Sequence, residues 1–225
     1  MLEIRLAGEV ALLHPGGSLF LPAHRTLLVA DAHFGKAVSF RRLGVPVPEA
    51  TTTATLGALD QALADTGPDR IVFLGDFLHS ARARAAATMA QLRGWRESHA
   101  GVHLTLVRGN HDARAGDPPG DLRIDVVDEP LRLGAFALCH HPRPRDGAYV
   151  LAGHWHPCVR VRSRFDSLRL PCFWIGDDTG RAPARAVGVL PAFGSFTGMH
   201  PIDLLAGDRI YAIADGNVRA LPPVA

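Results

Sequence analysis

Five short apolar runs, each leading directly into polar side chains, constrain this sequence more than any other feature. In the central example, the run 104–107 leads to Gly109 and then to Asn110, His111 and Asp112. A buried strand is typically a short apolar run bounded by turn residues, and glycine permits a sharp exit from it. Three consecutive polar side chains cannot all face a core, so a polar group must lie opposite them. The other four runs are 26–30 before Asp31 and His33, 71–75 before Asp76 and His79, 135–139 before His140 and His141, and 149–153 before His154 and His156.

The composition favours one domain, residues 1–225, with a sizeable core. Hydrophobic residues make up 47% of the 225 residues, which is enough for a single α/β domain of this length. The formal net charge is +2, so no strongly basic field marks a nucleic-acid binder.

The cysteines and the N-terminal residues predict the cellular compartment of the protein. Cys139, Cys158 and Cys172 lack C-x-x-C spacing, which argues against a disulfide framework and against a thiolate zinc site. Charged residues interrupt the apolar stretch 1–13, which therefore does not resemble a signal peptide, and no apolar run approaches the ~18 residues of a membrane span. We expect a soluble, cytoplasmic protein with no membrane partner.

The order of the predicted elements indicates two β-sheets. Apolar and polar residues roughly alternate in 2–21, which predicts a β-meander or hairpin at a sheet edge. Three predicted helices then alternate with strands, as in βαβ units. The first covers 34–43, the second begins after Pro46 and Pro48 and ends at about 65, and the third runs from Ser80 to about 100. Beyond about residue 121 the runs are β-type. We therefore expect an α/β fold, a four-layer α-β-β-α sandwich of two packed mixed sheets flanked by helices. The later predicted strands are 123–127, 131–139, 149–152, 159–165, 168–175, 187–193 and 210–213, and the predicted loops are 113–120, 142–147 and 177–184.

Seven side chains at these strand ends form a candidate metal site. All offer oxygen or imidazole nitrogen, which suits hard-to-borderline cations such as Mn²⁺, Fe²⁺ or Zn²⁺ better than a structural zinc. Seven ligands are too many for one ion, and two neighbouring ions need a bridging ligand, for which the Asp76 carboxylate is our candidate. His141 competes with His140, which we favour because it directly follows the apolar run. The seven are Asp31, His33, Asp76, Asn110, His140, His154 and His156.

The ordered motifs D-x-H, G-D, G-N-H-[DE], H and G-H-x-H between residues 31 and 156 resemble those of the calcineurin-like metallophosphoesterase superfamily. The resemblance implies that fold and a two-metal phosphodiesterase in which a hydroxide between the metals attacks phosphorus in line. It implies that His111 protonates or stabilises the leaving group and that Asp112 orients His111 through a hydrogen bond. The first metal would be held by Asp31, His33, Asp76 and His156, and the second by Asp76, Asn110, His140 and His154.

A longer resemblance narrows the substrate. Residues 31–48 and 190–198 are similar to the bacterial ligase-associated DNA damage response endonucleases of this superfamily. This implies hydrolysis of DNA phosphodiester bonds in repair, with Mn²⁺ as the preferred cation. In that family the coding context implies an ATP-dependent DNA ligase, a Lhr-like helicase and a β-CASP exonuclease as partners.

Cationic residues beside the first motif favour a polymeric substrate. Lys36, Arg41 and Arg42 lie on or near a predicted helix that begins next to the metal ligands, within reach of neighbouring phosphates. The alternative is a solvated helix face. His79 occupies a position where this superfamily often has a carboxylate, and it either faces the substrate or is purely structural.

Two other functions stay open at this point. A cyclic-nucleotide or small-nucleotide phosphodiesterase or phosphatase would have a deep closed pocket instead of an open basic groove. A non-catalytic scaffold of the same fold would bind protein partners without turnover. Such scaffolds tend to lose the catalytic histidine, whereas His111 is intact in this chain.

Overall fold

Two β-sheets pack face to face and bring their strand ends to a common edge. The structure is a computed structural model, and its described residues are 1–41, 44–47, 50–162, 167–176, 185–203 and 205–222. Within these residues no helix is both long enough and apolar enough to cross a membrane.

The first sheet is built from the first half of the chain. Its strands are β1 (Leu2–Leu6), β2 (Glu9–Leu13), β3 (Leu19–Leu21), β4 (Thr26–Val29), β5 (Arg70–Leu74), β6 (His103–Val107) and β7 (Ile124–Val127). They lie side by side in sequence order. Strands β1 to β4 are antiparallel, which confirms the predicted meander at the edge, and β4 to β7 are parallel. Parallel pairing places the carboxyl ends of β4, β5 and β6 at the same edge.

Four helices belong to this first half. They are α1 (Lys36–Arg41), α2 (Thr51–Thr66), α3 (Ala86–Ser98) and α4 (Asn110–Ala115). The prediction that a helix begins at Ser80 was wrong, because a 3₁₀ turn buries Ala83 against Gly35 and the extended Ala85 separates that turn from α3. The predicted loop 113–120 was wrong at its start, since α4 continues to Ala115.

The second sheet is built from the remaining strands. They are β8 (Leu131–Leu133), β9 (Phe136–Leu138), β10 (Tyr149–Ala152), β11 (Pro157–Arg162), β12 (Ser167–Ile175), β13 (Val187–Val189), β14 (His200–Pro201), β15 (Arg209–Ala214) and β16 (Asn217–Ala220). Its order is β14-β11-β12-β13-β10-β9-β8, and β15 joins β12 to β16. The single predicted run 131–139 was wrong: Gly134, at φ 55°, turns the chain into the antiparallel pair β8 and β9. The predicted loop 177–184 lies outside the described residues.

Three apolar layers hold these elements together. Along β5, Ile71 and Phe73 pack toward the helices, whereas Val72 and Leu74 pack toward the second sheet, as the alternation of a strand requires. The third layer, which includes Val150 and others, lies on the far face of the second sheet. The predicted α/β fold with two packed mixed sheets and helices is confirmed, and α2, α3 and α4 pack on the first sheet.

The three cysteines are free and fully buried, which gives a prediction about their reactivity. Burial raises the pKa of the Cys139 and Cys158 thiols and, with Cys158 as neighbour, raises that of Cys172 to about 12. Only the thiolate reacts with Ellman's reagent. We therefore expect almost no reaction of the native protein at pH 8, whereas the protein unfolded in guanidinium should release three equivalents of thionitrobenzoate, one for each cysteine. A thiol that reacts rapidly in the native protein would contradict this.

Candidate metal centre

The ends of β4, β5, β6, β9 and β10 place all seven predicted ligands next to one another. Contacts between segments far apart in the chain tie them together. The Asp31 Oδ2 atom accepts a hydrogen bond from the His154 backbone N–H at 2.8 Å, and the His140 ring nitrogen Nδ1 donates to the Leu74 carbonyl at 3.0 Å. The two sheets therefore share one cluster of polar side chains.

The first group of donor atoms surrounds Asp31. The His156 Nδ1 atom lies 3.1 Å from the Gly198 carbonyl and must donate its proton there, which leaves a lone pair on Nε2. That Nε2 is 3.4 Å from Asp31 Oδ1, and both atoms are buried without a hydrogen-bond partner. His33 lies beside them with its Nε2 at 3.8 Å from Asp76 Oδ2, and burial followed by the nearby Lys36 charge lowers the pKa of His33.

The second group surrounds His140. Because its Nδ1 donates to a carbonyl, its Nε2 carries a lone pair in the neutral ring. This Nε2 lies 2.9 Å from Asn110 Oδ1, 3.0 Å from His154 Nδ1 and 3.5 Å from Asp76 Oδ1. Burial, followed by the neighbouring His140 and His141, lowers the pKa of His154, which favours its neutral ring. Donor atoms that bind one cation at about 2.1 Å lie roughly 3.0–3.5 Å apart, as these do.

Asp76 lies between the two groups. Its Oδ2 is the oxygen near His33, at 3.8 Å, and its Oδ1 is the oxygen near His140, at 3.5 Å. The backbone N–H of His111 also donates to Oδ1 at 2.9 Å, which fixes the carboxylate. One oxygen facing each group is the arrangement that a bridging carboxylate requires.

The donor set fits two divalent cations. Two buried carboxylates, Asp31 at 0% and Asp76 at 2% exposure, lie among imidazoles, and the Lys36 ammonium supplies one positive charge against their two negative charges. Burying charges that are not fully compensated is strongly unfavourable. Unpartnered lone pairs and the lack of thiolates point to hard or borderline cations. Four triads of the described residues have ligand atoms within 4.8 Å of one another: Asp31, His33 and His156; Asp31, Asp76 and His140; His140, His141 and His154; and His33, His79 and His111.

The backbone is strained at the positions that carry these ligands. Left-handed φ values are uncommon for residues other than glycine and cost of order 1 kcal/mol each. Nine such residues occur in the described part of the chain, and five of them are predicted ligands. Their φ angles are 53° at Asp31, 46° at His33, 52° at Asp76, 72° at His154 and 48° at His156.

The motif glycines make room for ligands that come from other strands. A Cβ at Gly75 would lie 2.2 Å from the His140 Nδ1 atom, and one at Gly109 would lie 2.4 Å from Asp76 Oδ1. At Gly153 it would lie 2.5 Å from Asp31 Oδ2. Each motif therefore needs its glycine for the side chain of a different motif.

His111 lies at the rim of the cluster, and the predicted role of Asp112 was wrong. The His111 Nδ1 atom lies 2.7 Å from the His79 carbonyl, to which it donates, and its Nε2 is 3.9 Å from Asp76 Oδ2. The Asp112 carboxylate instead accepts backbone N–H bonds from Phe77, Leu78 and Gly109 at 2.9–3.2 Å. Burial raises the pKa of Asp112, against the effect of these donors. Asp112 caps α4 and orders the loop after β5, because the N-terminus of a helix leaves such donors free.

The predicted substrate-binding residues occupy different positions. Burial lowers the pKa of Lys36 while Asp31 and Asp76 raise it, so its ammonium lies within electrostatic range of both carboxylates. The Arg41 guanidinium donates to the Val47 carbonyl at 3.2 Å. Arg42 lies outside the described residues. His79 stacks on His111 with ring centroids 4.9 Å apart and meets the edge of the His33 ring at 5.3 Å.

Two residues near the cluster were missed by the sequence patterns. The Glu129 carboxylate accepts the backbone N–H bonds of His140 and His141, both at 2.9 Å, and so holds the loop that carries a ligand. Burial opposes its ionisation, but these donors keep the pKa of Glu129 below its usual value. The His200 ring lies 6.0 Å from that of His156. Neither residue belongs to a motif or follows an apolar run, so spacing contained no signal for them.

A family model and solved structures show which known proteins this chain is similar to. A family model described as calcineurin-like phosphoesterase matches residues 24–144. The crystal structure of the nuclease MPE from Pseudomonas putida is 44% identical, with a TM-score of 0.84 over 98% of this chain and 99% of that one. YfcE, a phosphoesterase from E. coli, is 14% identical, with a TM-score of 0.41 over 87% and 97% of the two chains. No curated protein matched.

The fold and the donor set define a metal-dependent hydrolase of phosphate esters. This chain belongs to the calcineurin-like phosphoesterase family, whose members bind divalent metals.

We expect Gly109→Ala to weaken metal binding, because its Cβ would lie 2.4 Å from the Asp76 Oδ1 atom and 2.6 Å from the Asp76 nitrogen. Displacing groups that orient metal ligands typically costs about 10- to 100-fold in affinity. Calorimetric titration of the chelator-treated protein with Mn²⁺ measures the loss. The control is Gly94→Ala in α3, where no atom lies within 4 Å. Wild-type Mn²⁺ affinity in Gly109→Ala would refute the expectation.

We expect Glu129→Ala to lower the free energy of unfolding by about 1–3 kcal/mol, because two backbone N–H groups lose their acceptor. Glu129→Gln keeps an acceptor oxygen, so its loss should be smaller. Urea denaturation measures both. Glu97→Ala, at an exposed position of α3, is the matched control and should change the value by less than about 0.5 kcal/mol. Equal stability of Glu129→Ala and the wild type would contradict the structural role of Glu129.

Proposed function

We propose that this protein is a DNA-repair endonuclease that hydrolyses DNA phosphodiester bonds with two divalent cations. The observation that carries the proposal is the position of Asp76, with one carboxylate oxygen toward each of two groups of converging lone pairs. The 44% identical structure, that of a nuclease, supports a nucleic acid as substrate.

Under this proposal the two groups of ligands hold the two cations. Asp31, His33 and His156 would hold one, and Asn110, His140 and His154 the other, with Asp76 shared. Mn²⁺ is the cation we propose, because the donors are oxygen and imidazole nitrogen; Fe²⁺ and Zn²⁺ suit them too. Bound cations supply an acidified water and neutralise charge on the phosphoryl oxygens.

His111 would move the proton that the leaving oxygen needs. Its Nδ1–H is engaged by the His79 carbonyl, so only Nε2, 3.9 Å from Asp76 Oδ2, is free to hold and release a proton. Burial, then Lys36 and His111, lowers the pKa of His79 to about 4. The stacked His79 ring is therefore neutral near pH 7 and does not repel a protonated His111.

Lys36 would bind a substrate phosphate. Lys36 lies three residues after His33, and its ammonium interacts electrostatically with the buried carboxylates of Asp31 and Asp76. A cation at this position favours a polymer with neighbouring phosphates over a free monophosphate. We also propose that Arg41, Arg42 and His79 contribute to binding the strand.

The cellular setting is a further part of the proposal. Free, buried cysteines suit a reducing, cytoplasmic compartment. An ATP-dependent DNA ligase, a Lhr-like helicase and an exonuclease are the partners we propose on the basis of family resemblance.

The test is hydrolysis of circular single-stranded DNA, with bis-(p-nitrophenyl) phosphate and 2′,3′-cyclic AMP as small substrates, by protein treated with chelator and then given Mn²⁺. We expect the circle to be opened, and His111→Ala to lower the rate about 10²- to 10⁴-fold. His103→Ala is the matched control, because His103 is exposed at the opposite end of the strand that leads to His111.

Each other outcome overturns the proposal in a different way. Cleavage of the small diesters with the circle intact would make the protein a small-nucleotide phosphodiesterase. No hydrolysis with Mn²⁺, Fe²⁺ or Zn²⁺ would make it a non-catalytic scaffold. Equal rates for His111→Ala and the wild type would remove His111 from the mechanism.

A further inference from the structure

A second concave surface adjoins the metal cluster on the side of the second sheet. It is a pocket of about 510 Å³ whose walls include Trp155, Trp174 and Ile202. We call it the Trp155 pocket. Its size falls in the range typical of sites for small molecules, roughly 300–1,000 Å³.

Trp155 is the more exposed of the two tryptophans in this pocket. It is 41% exposed, although its neighbours in the chain are the predicted ligands His154 and His156. Its indole lies 5.4 Å from that of Trp174, at an interplanar angle of 44°. Trp174 is 9% exposed, and its indole N–H has no hydrogen-bond partner among the described residues. The pocket thus has one open indole face, that of Trp155, backed by the buried indole of Trp174.

The Trp155 pocket adjoins the metal cluster, because His154 belongs to both. His154 lines it and also lies 3.0 Å from the His140 Nε2 atom. His200 lines it from the other side, with its ring 6.0 Å from that of His156. A strand with one phosphate at the cluster would therefore carry its neighbouring base close to the pocket.

The chemistry of the walls favours a flat aromatic group over a second phosphate. The described lining residues include the Asp203 carboxylate and contain no lysine or arginine. A negative charge without a cation repels an anion, whereas flat apolar walls with a few polar groups suit a planar aromatic ring. Stacking on tryptophan is also sequence-tolerant, because every nucleobase has a π-face.

We propose that the Trp155 pocket binds the nucleobase adjacent to the scissile phosphodiester, with Trp155 as its stacking platform. This inference rests on the proposed hydrolysis of DNA, and it adds a site that the motifs do not define. The base must leave the stack of its own strand to enter, so Trp155 replaces a stacking partner that the strand loses.

The test uses a DNA strand in which one phosphodiester is cleavable and all other linkages are methylphosphonates. Three versions carry a normal nucleotide on both sides, an abasic residue on the 5′ side, or an abasic residue on the 3′ side. For the wild type we expect kcat/KM to fall at least about tenfold with one of the two abasic strands, the size of effect that base stacking gives.

The variants then assign this effect to Trp155. In Trp155→Ala the ratio of kcat/KM for the normal and abasic strands should fall to about one, and Trp155→Phe should restore part of it. Trp95→Phe is the matched control and should keep the wild-type ratio, because Trp95 lies on α3. If Trp155→Ala does not fold, indole fluorescence of the Trp95→Phe protein without added metal replaces it: the normal strand should quench the emission, and the abasic strand should not.

The outcomes separate this inference from the proposed function. No cleavage of these strands or of the circular single-stranded DNA by the wild type would overturn DNA hydrolysis itself. If the circle alone is cut, the neighbouring phosphates are required for cleavage, and the fluorescence comparison then decides the nucleobase site. Cleavage at equal rates for all three strands would overturn the nucleobase site alone. A wild-type ratio retained in Trp155→Ala would place the base elsewhere and would also overturn it.

Discussion

The burial of two carboxylates side by side is the constraint on which this structure depends. Asp31 and Asp76 are almost inaccessible to solvent, and the side chains around them are mainly imidazoles and one amide. The Lys36 ammonium offsets one of the two negative charges, so further positive charge at the cluster stabilises the fold. The polar centre of the molecule is therefore organised for cations, and the apolar layers on either side of the first sheet hold its members in place.

Mutual dependence of the motifs follows from this constraint. Three of the five strand ends carry a glycine that leaves room for a ligand from another strand, as Gly75 does for His140 and Gly153 for Asp31. Five of the ligand residues have a left-handed backbone conformation. This conformation costs free energy, which the packing of the surrounding sheets must offset. A substitution at one strand end therefore displaces a ligand at another, and the five motifs depend on one another.

The strands and the clustering of the seven candidate ligands could be predicted from the sequence. Both depend on apolar runs that end abruptly in polar residues, and such runs are local features of the chain. The meander, the parallel strands and the two-sheet α/β fold were confirmed. The start of α3 was mispredicted because Ala83 is held against Gly35, a contact between segments far apart in the chain. The same limit applies to Asp112, whose acceptor atoms serve Phe77 and Leu78 instead of the His111 ring, and to Glu129, which no periodicity distinguishes. Residues that act through distant backbone groups leave no pattern in a single sequence.

The division of the ligands between the two sheets has a consequence for folding. Asp31, Asp76 and Asn110 follow strands of the first sheet, whereas His140, His154 and His156 follow strands of the second. Any cation bound by both sets favours the packed state over states in which the sheets have separated, so its binding free energy adds to the free energy of their association. Contacts of such long sequence separation form slowly, because loop closure must precede them. The cation would then stabilise the packing of the two sheets, which depends on the contacts that are furthest apart in sequence.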